Sequence, residues 1–260
     1  MRRIIEAVVW GWLGIGMLGI GMIAVGARWA AGEESTKAAA ETAVDDDAKP
    51  PAATRPLAAD PPGMKRLLPD ANAWLDPKGR RVVVDGTVCL RTGTLEMFAC
   101  LTGTKEHESV VAVDVPAHAI HAGLMAMGGK PGSPARFRPT FQAAFGTPID
   151  VTVIWQDDKK QTQRARGQDW VRNARTGKAL ESDWVFAGSA LFTDEEGKQH
   201  YQAEGGDLIC VSNFPSAMLD LPVESSQATN DLLFEAFTDH IPPIGTKVRI
   251  VLTPRPEKKP

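Results

Sequence analysis

The sequence predicts an α+β domain, mainly antiparallel β-sheet with one substantial helix, preceded by a single transmembrane helix. Three observations carry that expectation. Short apolar, β-branched segments alternate with glycine or acidic turns. One segment, residues 117–127, repeats its apolar residues at helical spacing. An uncharged run over residues 7–27 is long enough to span a bilayer.

In chain order, residues 1–31 read as an N-terminal membrane anchor. Arg2 and Arg3 precede the apolar run and Glu33 and Glu34 follow it, which keeps the start of the chain in the cytoplasm and the bulk outside. A secretory signal has a shorter apolar region, although Val25-x-Ala27 offers a cleavage site. Gly11, Gly16, Gly21 and Gly26 recur every five residues, which is not the spacing of a helix-dimer motif. Residues 32–66, rich in Ala, Glu, Asp and Pro, have too few large apolar side chains to form a core, so a disordered tether is expected. A spacer of this length reaches on the order of 30 Å.

The globular domain is expected over residues 67–254, with a basic tail at 255–260. "RRVVVDGTVCLR" and "TLEMFACLTG" read as strands flanking a tight turn at Thr92-Gly93, and "ESVVAVDV" as a strand with both faces covered. Pro116 suits the first turn of the helix and Gly128-Gly129 its end; Ala117, Ile120, Leu124 and Met127 form its apolar stripe. In "IDVTVIW", Ile149, Val151, Val153 and Trp155 alternate onto one face, and "DDKK" turns the chain back. "TKVRIVLTP" ends the domain with Val248, Ile250 and Leu252 inward and Lys247 and Arg249 outward.

A formal charge of −3 gives no basic footprint, so no nucleic-acid partner is expected. Cys89, Cys100 and Cys210 cannot form a disulfide framework, and without a C-x-x-C they do not suggest a thiolate zinc site or iron–sulfur cluster. An exported location permits one disulfide among them.

The candidate site lies in "GTKEHESVVAVDVPAHAIHAGLMAMGG". His118 and His121 stand three apart and share a helix side, which suits zinc only with a third ligand; the competing reading is two polar residues bordering an apolar stripe. No metal is assigned. In Lys105-Glu106-His107-Glu108, a turn would bring Glu106, His107 and Glu108 together as an acid–base group, whereas a strand would place His107 on the opposite face. Cys100 becomes a nucleophile beside an imidazole, or a small buried apolar residue. Asn213 and Asp220 sit in an apolar loop where they serve as donor and acceptor to a ligand, unless that loop only covers the sheet.

"LEMFACLTGTKEHESVVAV", "HAGLMAMGGKPGSPARF", "DWVFAGS", "GDLICVSNFPSAMLDLPVESSQA" and "LLFEAFTDHIPPIGTKVRIVLTP" follow one another in an order that resembles the YdjY-domain family of bacterial exported proteins, abundant in planctomycetes. The resemblance implies an extracytoplasmic domain of unassigned activity and no known cofactor. It implies that the phrase Lys105 to Glu108 and His121 belong to the family pattern, whereas His118 does not. The expected function is a membrane-anchored envelope module that binds a small molecule or another envelope protein, its first partner being lipid through the N-terminal run. The alternative is a hydrolase using His107 and His121, with or without a metal.

Overall fold

The computed structural model describes residues 57–225 and 233–255. The expected transmembrane helix falls outside them, as does the tail from residue 256. Among the described residues no helix is long and apolar enough to cross a membrane, so that part of the expectation has no structural support.

Eight strands carry the domain: β1 (Arg81–Val88), β2 (Met97–Leu101), β3 (Ser109–Val113), β4 (Pro148–Gln156), β5 (Trp184–Phe186), β6 (Ile209–Cys210), β7 (Leu219–Asp220) and β8 (Lys247–Pro254). Their spatial order is β1-β8-β4-β5-β7-β6-β2-β3, and β3 pairs back onto β1. The expected open α+β sheet is therefore corrected to a closed β-barrel. The substantial helix is corrected to a single ten-residue α1 (Ala117–Ala126). Two of the pairings, β2–β3 and β6–β7, are parallel.

Gly86 shows how the barrel closes. Up to Val84, the edge of β1 away from β8 pairs with strand Ala73–Asp76; from Gly86 to Val88 the same edge pairs with β3. A Cβ at Gly86 would lie 2.8 Å from Val111 Cγ1 and 3.0 Å from the Ala112 carbonyl, so only glycine lets β3 approach there. The turn at Thr92-Gly93 does not make a hairpin. β1 and β2 lie on opposite sides of β3, because β2 reaches β3 through the parallel connection that includes residues 103–108.

Alternation puts Ile149, Val151 and Val153 of β4 and Val248, Ile250 and Leu252 of β8 into the main core. Phe98, Trp170 and Trp184 pack beside them, with ring centroids 5.5 Å apart for Phe98–Trp184 and 6.3 Å for Phe98–Trp170. Trp184 Nε1 donates to the Cys210 carbonyl at 2.7 Å, so this buried indole keeps its hydrogen bond. On the outer face Arg249 pairs with Asp85 at 2.7 Å. The "DDKK" segment turns β4 into strand Thr162–Arg166, with Asp157 accepting from the Lys159 and Gln161 amides.

Residues 57–66 are laid against strand Ala73–Asp76. Asp60 accepts from Trp74 Nε1 at 2.8 Å and pairs with Arg66 at 2.5 Å. Arg66 and Arg249 lie over the Trp74 ring, 5.1 and 5.0 Å from its centroid. Ala58 and Met64 cover Val83, Val251 and Trp74 on the outside of the sheet.

Candidate functional site

Helix α1 starts without a side-chain cap of its own, because Pro116 occupies the N-cap. The first turn of any helix leaves backbone N–H groups without intrahelical partners. Glu204 supplies the missing acceptor from a 3-10 turn, Gln202–Gly205. Its carboxylate accepts from the Ala117 amide at 3.2 Å, the His118 amide at 2.9 Å and His118 Nδ1 at 2.7 Å. A carboxylate at this end also suits the helix dipole. His118 is therefore an exposed partner of the cap, and the helical spacing that suggested an H-x-x-H chelate has another use.

His121 lies on the same helix, half-buried, and is held from a second direction. Its Nδ1 is 2.8 Å from the Tyr201 hydroxyl, which donates to the Gly188 carbonyl at 3.1 Å. With the phenol proton given to Gly188, the phenol oxygen accepts from Nδ1–H, and the lone pair of the ring remains on Nε2. Burial holds the His121 pKa below its usual value, against the opposing effect of the Gly188 carbonyl. Burial, then the charge of Glu204, raises the Tyr201 pKa. At neutral pH the pair is thus a neutral imidazole beside a protonated phenol.

These two side chains line a groove of about 500 Å³ with His118, Pro131, Gly188 and Leu191. The His121 ring meets Phe186 and Tyr201 edge-on, at centroid distances of 4.8 and 5.4 Å. Gly188 has φ +91°, and a Cβ there would lie 2.7 Å from the Pro131 Cβ, so glycine keeps this wall open. Leu191 is 61% exposed at the rim. The groove has apolar walls and one lone-pair acceptor, an arrangement typical of small-molecule sites.

Residues 106–108 form a separate feature. They fold as a 3-10 turn, Glu106–Glu108, rather than a strand start. The Glu106 carboxylate accepts from the Gly103 amide at 2.5 Å. His107 is 77% exposed, and its Nε2 is 3.8 Å from Glu108. Glu108 and Asp207 share Lys105, at 3.8 and 2.9 Å. Burial tends to lower the Lys105 pKa, but its bond and attraction to Asp207 and the charge of Glu108 outweigh it and raise the value. Asp207 also accepts from the Ser216 hydroxyl. Beneath them, Glu96 is raised to about 7 by burial and by the charge and proximity of Glu108. None of Glu106, His107 and Glu108 lines the His121 groove. Gly206 joins the two regions, packing against Thr104 and Lys105 just after the turn that carries Glu204.

Asn213 and Asp220 are fully buried and bonded to each other at 3.0 Å. Asp220 also accepts from the Leu221 amide at 2.8 Å, while Asn213 donates to the Leu221 carbonyl and accepts from the Ser225 amide. Burial raises Asp220 to about 7 despite these donors. Both residues serve the internal loop and neither lines the groove. Cys100 is fully buried in β2. Among the described residues, no three His, Cys, Asp or Glu side chains are grouped to hold a metal ion.

Of the residues singled out in the sequence, His121 lies in the groove. Tyr201, Gly188 and Glu204 were not singled out. Tyr201 is the sole tyrosine of the chain, but the signal for its role is a contact across 80 residues of sequence.

The fold and site together define a class: a small closed β-barrel with an aromatic groove between its one helix and the end of β5. Within that class, the YdjY domain model matches residues 73–253, and the chain belongs to the YdjY-domain family. No curated protein and no solved structure matches it.

Proposed function

We propose that the barrel is a ligand-binding module whose His121–Tyr201 groove takes a small molecule with an apolar body and one hydrogen-bond donor. The observation that supports this is the fixed tautomer: with Nδ1 committed to Tyr201, Nε2 offers an acceptor in a groove walled by Pro131 and Leu191. The donor of the ligand fills that lone pair, and its apolar body covers the walls at roughly 25 cal/mol per Å² buried. The location we propose is extracytoplasmic. It is supported by Arg2 and Arg3 ahead of the uncharged residues 7–27.

Titration of the purified full-length protein with phenol, indole and aliphatic alcohols, followed by amide NMR shifts, tests this reading. Saturable shifts are expected at Gly188, Leu191 and the α1 amides, with binding weakened about tenfold or more in H121A. Saturable binding elsewhere, or binding indifferent to H121A and to L191K, overturns it.

A further inference from the structure

Cys89 and Cys100 are far from the groove chemistry, yet they meet each other. Cys89 follows β1, and its amide and that of Leu90 both donate to the Val110 carbonyl, at 2.9 and 3.4 Å. Two residues thus oppose one on β3, a bulge that frees Cys89 from regular pairing. Its Sγ lies 3.0 Å from the Ser109 carbonyl and within hydrogen-bonding reach of the Cys100 thiol. Cys100 comes from β2 on the other side of β3 and accepts from the Lys105 amide. The loop containing the Glu106–Glu108 turn therefore caps two facing thiols, one half-buried and one fully buried. Cys210 has a different place, packed with Met97, Ala217 and Phe214.

We propose that Cys89 and Cys100 are a dithiol pair that a small-molecule or protein disulfide oxidises to an intramolecular bond, fastening the end of β1 to β2 beneath the 103–108 turn. The two positions have unequal roles. Cys89, the half-buried thiol, meets the oxidant R–S–S–R, forming Cys89–S–S–R and releasing R–SH. Cys100, already in contact, attacks the Cys89 sulfur as the thiolate and expels R–S⁻. The protein loses two electrons and two protons, and the oxidant is reduced to two thiols. Electrostatics support this order. The hydrogen bond from Cys89 lowers the Cys100 thiol to about 7 against the effect of burial, whereas contact with Cys100 and then burial raise Cys89. Closing the bond shortens the contact to about 2.05 Å, and the bulge at Cys89 supplies the necessary backbone slack.

The test uses full-length protein incubated under native conditions with oxidised glutathione, then alkylated and analysed by intact mass and peptide mapping. Wild type and C210S are expected to lose two alkylatable thiols and yield one cross-linked peptide containing Cys89 and Cys100. C100S lacks the resolving thiol and is expected to retain glutathione on Cys89. The inference is overturned if wild type keeps three alkylatable thiols. It is equally overturned if mapping places Cys210 in the bond. The wild-type map needs no variant to fold, so a poorly folding C100S does not decide the outcome.

Discussion

The Nδ1 atom of His121 lies 2.8 Å from the Tyr201 hydroxyl, joining α1 to strand Gln199–Tyr201 across 80 residues of sequence. Tyr201 in turn donates to the Gly188 carbonyl at the end of β5. One phenol therefore fixes the ring position, the tautomer and the depth of the groove.

This arrangement predicts that His121 is neutral at pH 7 and carries its proton on Nδ1. Nitrogen-15 NMR of the imidazole should show the Nδ1–H tautomer in wild type. Y201F removes the phenol acceptor, and the tautomer is expected to mix, with a loss of about 1 kcal/mol in stability. A wild-type ring protonated mainly on Nε2 contradicts the site geometry.

Glu204 predicts a second effect. Replacing it with alanine leaves the Ala117 and His118 amides without their carboxylate acceptor, at a cost of about 0.5–2 kcal/mol. E204Q keeps an acceptor oxygen and should lose less. Urea denaturation reports both; an unchanged midpoint for E204A shows that water replaces the cap without loss.

Gly205 and Gly206 form an internal control. Gly206 has φ +111°, and a Cβ would lie 2.5 Å from Thr104 Oγ1, whereas Gly205 has open space around it. G206A is expected to cost about 1–3 kcal/mol through strain and crowding. G205A should stay within about 0.5 kcal/mol of wild type. Equal losses in the two variants refute the argument from backbone geometry.

The carboxylates give a pH dependence with a defined sign. Glu96 has an ordinary value of 4.5, raised to about 7 in the folded barrel by burial and then by Glu108. Between those values the folded state holds a proton that the unfolded chain releases, so stability falls as pH rises. The contribution is fully present below about 4.5 and lost through about 7. E96Q should flatten this part of a stability–pH curve, and an unaltered slope removes Glu96 as its source.

His107 is expected to be energetically quiet. Its side chain is 77% exposed and makes only a 3.8 Å contact with Glu108. H107Q should change stability by no more than about 0.5 kcal/mol. A large loss in thermal denaturation points to a structural role for this histidine.

Local periodicity carried much of the fold. The alternation at Ile149, Val151 and Val153, the matching pattern in β8 and the apolar stripe of α1 are all buried as read. These patterns are legible because burial of one face repeats every two residues in a strand and every three or four in a helix. Closure of the sheet was not legible. It depends on β1 changing partner at Gly86, and a single glycine reads equally well as a turn, a bulge or a close approach.

The site divides in the same way. The sequence by itself determined the family phrases, the helix that carries His121 and the glycines that end or bend the elements. Only the tertiary structure decided that His121 meets Tyr201 and that Asp220 meets Asn213. It also decided that Cys89 faces Cys100 across a strand lying between them in space. Each of those meetings depends on how the barrel closes, and hydrogen-bond partners far apart in sequence leave no periodic trace along the chain.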